Sequence, residues 1–195
     1  MALGFLTVIE HPQYGLFGGY LVLNVAGRPL EFHCTAPVKP NRAQEILYGA
    51  TLEPYLFGEQ IGQTLVSKSK LDPLVICTDR EPALALREYI ETPVALILSG
   101  EEPLDENGGP RGGEASATRD PAQSSAPQWR LDHPHPCGRW TAFTLGRNRL
   151  AVPAAASDDR QRITERLEGL ADSLDLAEPF RRIREAIEEA RKGGQ

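Results

Sequence analysis

The chain has 195 residues, 41% hydrophobic, which suits one domain with or without an appendage and is enough apolar content for a real core. Its net charge is −6, spread widely: residues 1–100 carry 7 basic and 10 acidic side chains, and residues 157–195 carry 8 and 10. No segment has the basic excess that gives non-specific nucleic-acid affinity, which argues against a nucleic-acid binder, and no apolar run approaches the roughly 20 residues of a membrane helix.

The opening MALGFLTVIEH has no basic leader region, and Glu10 and His11 interrupt its apolar run, so no secretory signal is expected. Cys34, Cys77 and Cys137 are odd in number and show no CxxC spacing. That is the pattern of a reducing compartment, and a cytoplasmic location is expected.

The run FLTVI over 5–9 predicts a buried first strand, and HPQYGLFGG predicts a turn region. Alternation in LVLNV predicts a second strand over 20–25, with Leu21, Leu23 and Val25 on one face. Ala26-Gly27-Arg28-Pro29 supplies a turn into a third strand over 30–35, completing an antiparallel meander. Pro40 then opens a helix whose apolar face is Ala43, Ile46, Leu47 and Ala50, at i, i+3, i+4 and i+7. Pro54 predicts a kink or break, after which Phe57, Ile61 and Leu65 resume a stripe to about residue 67. Two compact apolar runs, 73–78 and 93–98, predict buried strands. Between them lies a short helix over 82–89 that Asp79 is placed to cap.

Residues 100–138 are rich in Gly, Pro, Ser and Ala and poor in core formers, and predict a disordered linker. A hairpin over 140–152 around Gly146-Arg147-Asn148 follows, then two helices. Ile163, Leu167, Leu170 and Leu174 stripe the first, and Phe180, Ile183, Ile187 and Ala190 the second. Asp175 followed by Glu178 marks a capped helix start. The expected organisation is an α/β domain over 1–99, a linker over 100–138, and a hairpin with a two-helix extension over 139–195.

The order β-β-β-α-β-α-β, the stretch GGYLVLNVAGRPLEFHCTAPVKPNRAQEILYG and the later VICTDREPALALRE together resemble the ribonuclease H-like superfamily over residues 5–98. That resemblance implies a mixed sheet and, in its enzymes, acids from the first strand, first helix and fourth strand gathered around two Mg²⁺ ions. Carried onto this chain, those acids are Glu10, Glu45 and Asp79. Glu10 stands at a strand end where the family has a mid-strand Asp, and Gln44 occupies the spacing at which the helical acid is expected. The preferred reading is therefore a non-enzymatic interaction module without a cofactor. The alternative is a Mg²⁺-dependent nuclease using the three acids.

Three further candidates stand in the sequence. His133, His135 and Cys137 are residue types that suit Zn²⁺, but they lack the paired spacing of tetrahedral sites. Cys34 beside His33 suggests a nucleophile and base, yet neighbouring strand residues point to opposite faces. The amphipathic helix at the C-terminus offers Phe180, Ile183 and Ile187 as anchors for a protein partner's groove, or as cover for its own sheet.

Overall fold

A computed structural model of the chain describes residues 1–98, 139–171, 173 and 175–192. The expected linker and the His133, His135 and Cys137 candidates lie outside the described residues.

Seven strands form one mixed sheet in the order β3-β2-β1-β4-β5-β7-β6. β1 (Ala2–His11), β2 (Gly15–Asn24) and β3 (Pro29–Cys34) make the antiparallel meander. β4 (Ile76–Thr78) lies parallel to β1, and β5 (Val94–Ile97) parallel to β4. The sheet is mixed, as the sequence predicts. β6 (Trp140–Leu145) and β7 (Asn148–Pro153) form the hairpin, and β7 pairs antiparallel with β5. The segment beyond residue 139 thus extends the same sheet.

Both faces of the sheet are covered, so its central strands are apolar on both sides. Strand alternation sorts the side chains into two layers. Leu3, Phe5, Leu21, Leu23, Cys77 and Ile97 pack with α4 (Asp158–Leu167) and α5 (Glu178–Lys192). Leu6, Val8, Tyr20, Val22, Ile76 and Leu96 pack with the helical run after β3 and a 3₁₀ segment, Glu81–Glu88.

Gly18 and Gly19, expected in a turn, lie inside β2. A Cβ on Gly18 would stand 2.2 Å from Ile61, and one on Gly19 would stand 2.3 Å from Ile183. At these two points the helical layers approach the sheet too closely for a side chain. The turn requirement falls on Gly15 instead, at φ +92°.

The helical run departs from expectation in three ways. α1 (Arg42–Tyr48) is capped by Asn41, which leaves Pro40 outside the helix. The break comes at Gly49 (φ +50°) and not at Pro54. Past it a short 3₁₀ turn leads into α2 (Leu52–Pro54), a π-helix (Tyr55–Gln63) and α3 (Thr64–Val66), without a break. Pro54 falls in the first turn of this second piece, where the missing N–H has no partner to lose. Phe57, Ile61 and Leu65 are buried as their spacing predicts. The α1 stripe is not: Ala43, Ile46, Leu47 and Ala50 are all exposed, and no residue of α1 is buried.

The C-terminal helices fold back on the sheet. Asp175 Oδ1 accepts hydrogen bonds from the backbone N–H groups of Ala177 (3.1 Å) and Glu178 (3.2 Å), which caps α5 as the sequence predicts. Phe180, Ile183 and Ile187 are 2%, 0% and 3% exposed, and the Phe180 ring meets Phe5 edge-on at 5.8 Å. The three expected partner anchors are thus buried against their own sheet. β1 and β2 present an apolar face of the right width, and covering it in cis needs no second molecule.

Candidate functional site

The carboxyl end of β4 lies beside the middle of β1, because the two strands run parallel with Leu6 level with Thr78. Continued one step past the last paired residues, that register sets Thr7 beside Asp79, the residue that follows β4. Thr7 pairs with Gly19 in β2, and Ile183 and Ile187 of α5 crowd the space above Gly19. Thr7 therefore faces α5. Its hydroxyl is buried and has no hydrogen-bond partner.

Asp79 turns toward the same helix. The guanidinium of Arg184, one turn of α5 beyond Phe180, donates from Nη2 to Asp79 Oδ2 and forms an ion pair with it. The other oxygen, Oδ1, is buried without a partner. Asp79 does not cap the following 3₁₀ segment as expected. No side chain caps that segment; the Thr78 hydroxyl accepts from the backbone N–H of Arg80, the residue before it, at 3.2 Å.

Glu10 stands on the other side of the sheet. Strand alternation places it with Leu6 and Val8, facing the helical run. There Arg80 Nη2 donates to Glu10 Oε1 at 2.9 Å, while the same guanidinium lies 5.6 Å from the centre of the Phe57 ring. Glu45 sits on exposed α1 and accepts from Arg42 Nη1 at 3.0 Å. Gln44 is engaged in a capping box. Its side-chain oxygen accepts from Asn41 N–H at 3.0 Å, while Asn41 Oδ1 accepts from Gln44 N–H at 2.9 Å.

The structure thus separates the three acids that the resemblance would gather. Each carboxylate is paired with a different arginine, and Glu10 and Asp79 face opposite sides of the sheet. Among the described residues there is no group of three His, Cys, Asp or Glu side chains able to hold a metal ion. These residues do not fit a two-Mg²⁺ centre, whose ions stand about 4 Å apart and need bridging carboxylates. The β1 position level with Asp79 carries a hydroxyl, a much poorer ligand than a carboxylate.

His33 and Cys34 do not form a nucleophile–base pair. His33 Nε2 lies 3.2 Å from Glu31 Oε2, on the side of Ser69 and Lys70, whereas Cys34 is exposed at the sheet edge. The sequence reading missed a buried carboxylate, Asp159. Arg87 Nε donates to it at 2.5 Å and Arg162 Nη1 at 3.0 Å. Arg162 follows it by one helical turn, which a sequence signals, but Arg87 is 72 residues away. Both arginines border an open cleft of about 680 Å³, and their pairing with Asp159 holds α4 beside it. Among the described residues no helix is long and apolar enough to cross a membrane.

No family model matches the chain, and no curated protein matches it. Two solved structures of Ciona intestinalis endonuclease V are similar to part of it. They hold a 23mer and a 24mer DNA, each containing an inosine followed by a ribo-adenosine. Each is 15% identical to this chain. The matches cover 55% and 54% of it and 49% and 50% of the neighbours, with TM-scores of 0.37 and 0.34. The chain spans about half the length of these structures. Likeness at that level assigns no chemistry to the chain.

Proposed function

We propose that this chain is a non-catalytic α/β module that acts by binding. The observation that carries this reading is the pairing at the carboxyl end of β4. Asp79 faces an arginine of its own chain, and the strand beside it offers Thr7 where a second carboxylate would be required. A phosphodiesterase needs its acids free and converging, because they must hold cations that activate water and stabilise the leaving oxygen.

The test is cleavage. Full-length protein incubated with Mg²⁺ or Mn²⁺ and labelled duplex DNA, RNA–DNA hybrid or inosine-containing DNA is expected to leave every substrate intact. Metal-dependent cleavage that disappears in Asp79→Asn would overturn the proposal. It would establish the second reading, a divalent-metal nuclease. One observation speaks for that reading: Asp79 Oδ1 is buried at a strand end without a hydrogen-bond partner, and so has a lone pair uncommitted.

A further inference from the structure

α1 is a helix whose apolar stripe has nothing to cover. Its seven residues are held helical by the Asn41–Gln44 capping box, and Ile46 and Leu47 are 66% and 81% exposed. In α5 the corresponding Phe180, Ile183 and Ile187 are buried, and Ala190 alone of that stripe is exposed. Single exposed apolar residues are ordinary, but a whole amphipathic face turned to water is the signature of a contact surface.

The surroundings of this face carry an excess of acid. Residues 42–67 hold Glu45, Glu53 and Glu59 against one base, Arg42, which pairs with Glu45 at 3.0 Å. Tyr48, next to Leu47, stacks on Tyr55 with ring centres 4.1 Å apart. The hydroxyl of half-exposed Tyr89 donates to Glu59 Oε2 at 3.0 Å. Burial raises the Tyr89 phenol above its ordinary range, and the hydrogen bond to Glu59 and the nearby charges of Glu59 and Glu88 add to that rise. The exposed apolar residues, the tyrosines and the carboxylates thus belong to one neighbourhood. Tyrosine faces beside carboxylates favour lysine and arginine side chains, which gain charge pairing and cation–π contact together.

We propose that Ile46, Leu47, Tyr48 and Tyr89, rimmed by Glu59 and Glu88, receive a basic amphipathic helix of a partner protein. A second copy of this chain is the poorer occupant, because apposed faces would bring their carboxylates together. The assignment rests on the reading of the chain as a binding module, and places the contact on α1 where the sequence had suggested α5.

The test uses full-length protein and two fluorescent 14-residue helical peptides, one of Leu and Lys and one with Glu replacing every Lys. Saturable one-to-one binding of the Lys peptide is expected, weakened severalfold in 0.5 M salt, with none by the Glu peptide. Leu47→Asp should weaken binding at least tenfold although it adds negative charge, and Glu59→Gln should weaken it less. Circular dichroism should show both variants folded, since neither residue is in the core. Absence of saturable binding, equal binding of the Glu peptide, or indifference to Leu47→Asp would overturn the proposal. So would a dimer in sedimentation equilibrium that Leu47→Asp dissociates, which would make a second copy the occupant. The cleavage assay reads the other proposal separately: failure of peptide binding leaves an absence of cleavage standing.

Discussion

The sharpest test of the fold is to truncate two stripes that look alike in sequence and are buried to opposite extents. Phe180→Ala removes a ring that is 2% exposed and packed edge-on against Phe5. Loss of transfer energy and the cavity left behind cost about 3–5 kcal/mol for such a residue, of which the aromatic pair accounts for about 0.5–1.5. Domains of this kind are stable by only about 5–15 kcal/mol, so the variant should sit near the edge of folding. At about 2–4 °C per kcal/mol for a chain of this size, its melting temperature should fall by roughly 6–20 °C. Leu47→Ala on α1 removes a smaller apolar side chain that is 81% exposed, and should shift stability by no more than about 0.5 kcal/mol.

The assay is urea unfolding followed by circular dichroism, at two protein concentrations differing tenfold. A midpoint independent of concentration establishes that α5 packs on its own sheet. The reasoning is refuted if Phe180→Ala costs less than about 1 kcal/mol, or if Leu47→Ala costs more than Phe180→Ala. The first result would mean that α5 leaves the sheet in solution, and the second that α1 is the covered helix.

Two further outcomes follow from single contacts. Gly19→Val should destabilise by about 1–3 kcal/mol, because its Cβ would stand 2.3 Å from Ile183 Cγ2 and 2.8 Å from Ile187 Cδ1. An unchanged urea midpoint would show that α5 does not lie this close to β2. Glu31 has its carboxyl held below the ordinary range, chiefly by the Ser69 hydroxyl, with His33 and the Lys70 N–H adding and partial burial opposing. A depressed carboxylate contributes stability above its unfolded value of about 4.5, and that contribution disappears as pH falls through the lower folded value. Glu31→Gln should therefore be less stable than the parent at pH 7 and converge with it toward pH 3. A gap that stays constant with pH would show that the carboxylate's charge is not what Ser69 and Lys70 hold.

Much of this architecture was legible because strand alternation and helical spacing are local. Leu21 and Leu23 share a face by period two, and Phe57, Ile61 and Leu65 share one at spacing four, and these are buried as expected, whereas Val25, expected beside Leu23, is exposed in the turn after β2. What periodicity cannot say is what lies opposite an apolar face. The stripe of α1 and the stripe of α5 obey the same rule, yet one meets solvent and the other meets β1 and β2. Gly18 and Gly19 were misplaced for a related reason. A turn and a close helix approach both call for glycine, and only the packing of Ile61 and Ile183 distinguishes them. Pro54 read as a breaker because a helix appeared to precede it, whereas Gly49 had already ended that helix.

The candidate site was less legible than the fold because it depends on register between distant strands. Which residue of β1 stands level with Asp79 is decided by the pairing of Leu6 with Thr78, and a shift of one residue would exchange the faces. Read along the chain, Glu10 is the obvious acid of β1; in the sheet it is three positions beyond Thr7 and on the other face. The ion pair of Asp79 with Arg184 spans 105 residues and has no local signature at all. Arg184 is about half exposed and Asp79 nearly buried, so the pair is worth less than a fully buried one. Its consequence is nonetheless specific. A carboxylate left alone at this depth would attract a cation or a proton, and α5 supplies the cation from within the chain. Holding that helix onto the sheet and holding an exchangeable metal are competing uses of one side chain, and the geometry around Asp79 serves the first.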